Sequence, residues 1–134
     1  MSKKTKTYFE NELDRLYDET LFRPKLYVQV RQSKAFMEKY HAGKIALSDL
    51  AAAAFMSRFH YVRVFQKVYG LTPISYLRDL RISKTKKLLR KGLSVTQVCL
   101  DVGYESLPTF SAVFKKSTGY TPSEYQKLHK SNLE

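Results

Sequence analysis

The side chains of this chain that are best placed to do chemistry are basic rather than nucleophilic. In "SRFHYVRVFQKVYG", residues 57–70, Arg58 and Arg63 flank Phe59 and Val62, with Gln66 and Lys67 following. A guanidinium can bond guanine O6 and N7 together, and an apolar side chain can lie against a thymine methyl. Arg58, Phe59, Val62 and Arg63 are therefore candidates for contact with base edges. Ser57, His60, Gln66 and Lys67 are candidates for contact with phosphate. Each has a plainer alternative: a solvated surface arginine for Arg63, packing for His60, a helix cap for Ser57. A second set lies at Leu107, Pro108, Thr109, Ser111 and Ala112, with Ser106, Lys115 and Lys116 as its phosphate candidates. Thr109 and Ser111 can donate or accept, whereas Leu107 and Ala112 can only pack. The second set is thus expected to select bases weakly and to rely on phosphates and its helix N-terminus.

Catalytic chemistry finds little support. His41, His60 and His129 show no metal-ligand spacing with one another or with Cys99. There is no phosphate loop, no G-x-S-x-G and no acid pair in a suitable context. The expectation is a chain that is not an enzyme, with no cofactor and no metal. Cys99, the one cysteine, lies on an apolar helical stripe and reads as a small core residue. One thiol forms no internal disulfide, which fits a reducing cytoplasm. No apolar run approaches the roughly 18 residues of a membrane span, and "MSKKTKTYFE" lacks the apolar region of a secretory signal. Of the 134 residues, 24 are Lys or Arg and 12 are Asp or Glu, a formal net charge of +12. That excess attracts polyanions. A merely soluble basic protein and a binder of anionic lipid are the other readings of charge alone.

The elements that must position these residues are written twice. "FQKVYGLTPISY" at 65–76 recurs as "FKKSTGYTPSEY" at 114–125, with Phe, Lys, Gly, Thr, Pro and Tyr in register. Gly70 and Gly119 suit the left-handed end of a helix. Thr72 and Thr121 are good N-caps, and Pro73 and Pro122 fit a first helical turn. Each copy therefore stops one helix and starts another. Upstream, Tyr61, Val64, Phe65 and Val68 form one apolar stripe, matched by Phe110, Val113 and Phe114. Further upstream, Leu47, Leu50, Ala51 and Ala54 match Val95, Val98, Cys99 and Val102. The second copy holds one extra residue in its turn, Gly103 closes its first helix, and Ser94 with Gln97 makes a possible capping box. Each copy is a helix, a tight turn and a second helix. Two helical hairpins with no ligand would share this periodicity. Between the copies, 73–91 read as one long helix packing on the first copy at its start and on the second at its end. At 1.5 Å per residue it spans roughly 28 Å. That is slightly short of the roughly 34 Å between major-groove faces on one side of B-DNA, so bending of the DNA is expected.

On these residues the chain resembles the DNA-binding domain of AraC/XylS-type bacterial transcription regulators. The motifs that carry the resemblance are "SRFHYVRVFQKVYGLTPISYL", "LRISKTKKLL" and "SVTQVCLDVGYESLPTFSAVFKKSTGYTPSEYQK", and the match covers roughly residues 30–127. The resemblance implies an all-α fold of seven helices, with two helix-turn-helix subdomains joined by a central helix. It implies promoter binding in two adjacent major grooves of double-stranded DNA and contact with RNA polymerase. Three positions depart from the family's habit. Phe55 stands where Gly is usual in a turn, Ala46 where a capping Ser or Thr is common, and Ala112 where the second reading helix often carries Arg. Arg81 matches a frequent basic position, with a structural role ranked ahead of a contact with the DNA backbone. Some relatives are fused to cysteine-based repair modules, and the cysteine cluster that chemistry needs is absent from this sequence.

The expected layout is an N-terminal extension at 1–29, a DNA-binding domain at 30–128 and a short C-terminal tail from 129. Within the domain the first helix-turn-helix occupies about 46–70, the connector 73–91 and the second helix-turn-helix about 94–119. Many relatives carry a separate effector-sensing domain, and the residues ahead of the match are expected to be too few for one. Phe9, Leu13, Leu16 and Tyr17 suggest a short amphipathic helix opened by Thr7 and Glu10 and broken at "FRP", 22–24. Packing on the core is the first reading of that helix and self-association the second, so the chain is expected to be a monomer or a weak homodimer. The expected function is sequence-specific binding of double-stranded DNA in transcription regulation. The alternative is a protein-interaction module for RNA polymerase or another regulator, with weak DNA contact. The basic face of the connector, Arg78, Lys84, Lys87 and Lys91, reads as solvated surface.

Overall fold

The computed structural model describes residues 7–12, 15 and 24–130. Seven helices cover 24–130: α1 (Pro24–Tyr40), α2 (Leu47–Ala53), α3 (Arg58–Tyr69), α4 (Pro73–Arg90), α5 (Val95–Asp101), α6 (Leu107–Thr118) and α7 (Pro122–Lys130). There is no strand among the described residues. The all-α class and the two helix-turn-helix copies are as the sequence predicts. Two boundaries differ. α1 begins at Pro24 and carries the chain across position 29, the expected end of the N-terminal extension. α7 continues through Lys130, beyond the expected start of the tail. Leu13, Leu16, Tyr17, Phe22 and Arg23 lie outside the described residues. Thr7 does accept from the Glu10 backbone N–H at 3.1 Å. Phe9, however, is 71% exposed and does not pack on a core.

The chain divides into two compact units, one within Met1–Phe36 and Ala46–Pro73, the other within Met37–Ile45 and Ile74–Glu134. In the first, α3 turns Tyr61, Val64 and Phe65 inward, all fully buried, as are Leu50 and Ala54 from the end of α2. α1 supplies Val30 and Ser33. The Tyr61 hydroxyl donates to Ser33 Oγ at 2.8 Å, and Ser33 Oγ–H donates to the Val30 carbonyl at 2.6 Å. A phenol sunk in an apolar core thus keeps a partner, and α3 is tied to α1 by a bond of fixed direction.

The second unit is built around Ile82, Leu89, Val98, Cys99, Val102, Phe110, Phe114 and Tyr125. Phe114 meets Tyr125 edge to face at 5.3 Å between ring centres. Arg81 has a structural place here. Its Nε donates to the His41 carbonyl at 3.0 Å and its Nη2 to the Gly43 carbonyl at 2.9 Å, and the guanidinium lies over the Tyr104 ring. The Ser94–Gln97 box forms on one side only. Gln97 N–H donates to Ser94 Oγ, but the Gln97 amide turns to Asp101 Oδ1 at 2.6 Å. A reciprocal box opens α7 instead, between Thr121 and Glu124. At Ala46, which has no capping hydroxyl, the Asp49 carboxylate accepts from the Ala46 N–H at 2.8 Å, so half of a box remains.

The turns after α2 and α5 repeat bond for bond. Phe55 N–H donates to Ala52 O and Met56 N–H to Ala51 O; Gly103 N–H donates to Leu100 O and Tyr104 N–H to Cys99 O. Both turns need a left-handed residue, and Phe55 adopts φ 57° where Gly103 adopts φ 99°. The two sites differ in space. A Cβ on Gly103 would stand 2.5 Å from the His41 carbonyl oxygen and 3.0 Å from Arg81 Nη2. The Phe55 side chain points into solvent, 79% exposed. Glycine is therefore obligatory in the second turn, whereas in the first the residue only strains the backbone, by about 1–2 kcal/mol for a left-handed L-residue.

Gly103→Ala is expected to destabilise the protein by about 2–4 kcal/mol. Phe55→Gly is expected to stabilise it by about 0.5–1 kcal/mol after the entropy of the added glycine is counted. Urea denaturation of both variants checks the pair, and equal effects would contradict the packing difference. A second expectation concerns alkaline pH. Burial pushes the Tyr61 phenol from 10.0 up to about 12, against the opposing pull of its Ser33 hydrogen bond. The folded state holds a proton that the unfolded state releases, so this stability is intact below pH 10 and is lost as pH rises toward 12. Tyr61→Phe should flatten the fall of stability with pH over that window. The slope that remains comes in part from Tyr104, whose phenol is also raised by burial.

Candidate nucleic-acid interface

α3 begins where Ser57 leaves the helix in an extended conformation (ψ 157°) and its Oγ accepts from the His60 N–H at 3.2 Å. The helix ends at Gly70, φ 80°, whose N–H donates to Gln66 O. Because Tyr61, Val64 and Phe65 are buried, the remaining face must look outward. Leu47, Ser57, Arg58, Phe59, Val62 and Arg63 line one groove in the first unit, and no acidic residue is among the described residues that line it. Arg58 is exposed and Phe59 is 61% exposed. Val62 and Arg63 are half-buried, and Arg63 Nε is shielded from solvent. Gln66 and Lys67 are exposed further along α3, and His60 is half-buried beside the cap. The structure thus gathers all four base-edge candidates of the first set into one place. It adds Leu47, whose position on the apolar stripe of α2 gave no sign of a place in the groove.

α6 repeats the construction in the second unit. Ser106 Oγ accepts from the Thr109 N–H at 3.4 Å, Pro108 occupies the first turn, and Gly119 closes the helix at φ 86°. Phe110 and Phe114 are fully buried. Leu107, Pro108, Thr109, Ala112, Lys115 and Lys116 are exposed, and Ser111 is half-buried. The outer face of α6 is accordingly apolar near its start and basic near its end. Ser57 and Ser106 both act as caps, which satisfies orphan N–H groups at the helix starts. Separately, Arg78 of α4 and Val113, Lys116 and Ser117 of α6 line a groove within the second unit. Sequence spacing could not pair Arg78 with α6, because only the packing of α4 against α6 brings the two together.

Among the described residues no three His, Cys, Asp or Glu side chains are grouped to hold a metal ion. No helix among them is long and apolar enough to cross a membrane. Cys99 is buried, with its Sγ 3.7 Å from the Tyr104 carbonyl, and burial raises its thiol pKa. That environment suits a packed thiol rather than a nucleophile.

The helix-turn-helix domain family model matches residues 50–128. The chain belongs to the AraC-type helix-turn-helix family. Among its relatives, the bifunctional transcriptional activator/DNA repair enzyme AdaA of Bacillus subtilis is 30% identical over 96 residues, covering 71% of this chain and 46% of AdaA. An AraC-type transcriptional regulator from Chromobacterium violaceum superposes with a TM-score of 0.69 at 25% identity, covering 77% of this chain and 93% of that one. The DNA-binding domain of AdpA, a global transcriptional factor solved in complex with a target DNA, shares the fold. Its TM-score is 0.74 at 24% identity, covering 77% of this chain and 94% of that domain. The chain spans about a third to a half of the length of AdaA and two further Bacillus subtilis relatives.

Proposed function

We propose that this AraC-type chain is a transcription regulator that binds double-stranded DNA in a sequence-specific manner and has no catalytic step. The observation that carries the reading is the groove on α3. Two guanidiniums and an exposed phenylalanine share one groove, in a chain of net charge +12. In this reading α3 enters a major groove by its N-terminal half. Arg63 bonds a guanine edge, Arg58 a second base or a phosphate, and Phe59 and Val62 lie against thymine methyls. Ser57, His60, Gln66 and Lys67 take phosphates and fix the register.

α6 enters the next major groove. Leu107, Pro108, Thr109, Ser111 and Ala112 make a permissive contact with bases, and Ser106, Lys115 and Lys116 hold phosphates. Residues 30–128 are the DNA-binding domain in this account, and α4 is the spacer between its two helix-turn-helix parts. In this reading the duplex bends so that both helices reach it. The chain works in the bacterial cytoplasm as a monomer or weak homodimer, with RNA polymerase as a second contact. The exposed Leu107 and Ala112 favour one rival, a protein-interaction module that touches DNA weakly.

Selection of bound duplexes from random DNA separates the two. The regulator reading expects a consensus of roughly 15–20 base pairs, two major-groove contacts about one turn apart. Recovery of no consensus supports the interaction module. Arg63→Ala is expected to cost about 1–3 kcal/mol on the selected site and to relax one base position. An equal loss on every sequence would make Arg63 a phosphate anchor instead.

A further inference from the structure

The groove lined by Arg78, Val113, Lys116 and Ser117 is not explained by the fold. Arg78 lies in the first half of α4, with its side chain 51% exposed. Its ion-pair contact is with the neighbouring Asp79, which is 63% exposed, and the 3.8 Å separation from Nε to Oδ1 is too long for a hydrogen bond. Lys116 and Ser117 are both exposed on α6, one turn beyond the half-buried Val113. Two cations and a hydroxyl therefore converge on one groove with Val113 at its side, and no carboxylate among the described residues lines it. Like charges brought together in this way repel, and an anion bound between them removes the repulsion. Forked guanidinium donors, an ammonium and a hydroxyl are the donor types that hold a phosphodiester oxygen.

We infer that this groove seats a phosphate of the DNA backbone, with Arg78 and Ser117 as contact residues beside Lys116. α4 is then part of the binding surface as well as a spacer. The inference rests on the DNA-binding reading above, which already gives Lys116 a phosphate, and extends that contact to Arg78 and Ser117. It replaces the expectation that Arg78 is only solvated surface. The carboxylates of an acidic partner protein could meet the same donors. The phosphodiester is favoured because α6, which forms one wall of the groove, also carries the second reading face.

The test is the salt dependence of binding of the full chain to its selected duplex, for the wild type, Arg78→Gln and Lys116→Gln. Removing one phosphate contact should lower the slope of log affinity against log salt by about 0.9. It should weaken binding by a similar factor on the selected duplex and on a scrambled one, because a phosphate contact carries no sequence information. The melting temperature of Arg78→Gln should match the wild type, since half of the side chain is exposed. An unchanged slope in Arg78→Gln, with wild-type binding intact, overturns this inference alone. So does an unchanged slope accompanied by loss of RNA polymerase binding, which would assign the groove to a protein partner. A wild-type chain that binds no duplex overturns the DNA reading and this inference with it.

Discussion

A helix can offer one face to a ligand only when its opposite face is held still, and aromatic burial imposes that constraint in both units. Tyr61 and Phe65 on α3, and Phe110 and Phe114 on α6, are each fully buried. Burial of a phenyl-sized side chain contributes about 1.5–3 kcal/mol, so rotation of either helix about its axis would expose much of its anchorage. The polar supports add direction. Tyr61 cannot slide along α1 without abandoning Ser33 in the core, and an unsatisfied buried hydroxyl costs about 1–3 kcal/mol. The outer faces are what remains after this fixing, with Arg58 and Phe59 exposed on α3 and Leu107, Thr109 and Ala112 exposed on α6.

The second unit carries a further constraint in its turn. Arg81 holds two backbone carbonyls of the segment after α1, and the turn from α5 to α6 passes so close that only glycine fits at 103. A charged donor spent on two carbonyls is a positional device, since hydrogen bonds from ionised groups are stronger and more directional than neutral ones. In the corresponding turn of the first unit Phe55 is 79% exposed, and the turn tolerates a strained aromatic residue.

Much of this was legible in the sequence because it is local. Helix ends announced themselves through Gly70, Gly119, Thr121 and the serines at 57, 94 and 106. The buried stripes followed from helical spacing, since Tyr61, Val64 and Phe65 must share a side. The outward set on α3 was then available by subtraction. What was not legible is tertiary. Leu47 sits on the core stripe of α2 and still lines the groove with Arg58 and Phe59. Arg78 meets Lys116 and Ser117 across a packing of two helices that no spacing rule describes. Gln97 was expected to close a capping box by accepting from the Ser94 N–H through its side-chain oxygen, but its Nε2 donates to the Asp101 carboxylate one turn ahead, which turns the amide away from Ser94. Ala112 was readable as a departure from its family, and its exposure on α6 leaves that face without the donor an arginine would bring.

The account depends most on α3 and α6 serving one duplex together. Hydroxyl-radical footprinting of the full chain on a selected duplex tests this directly. Two protected patches about 10–10.5 base pairs apart on the same side of the helix are the predicted result. A single patch, or two patches half a turn out of phase, would contradict it.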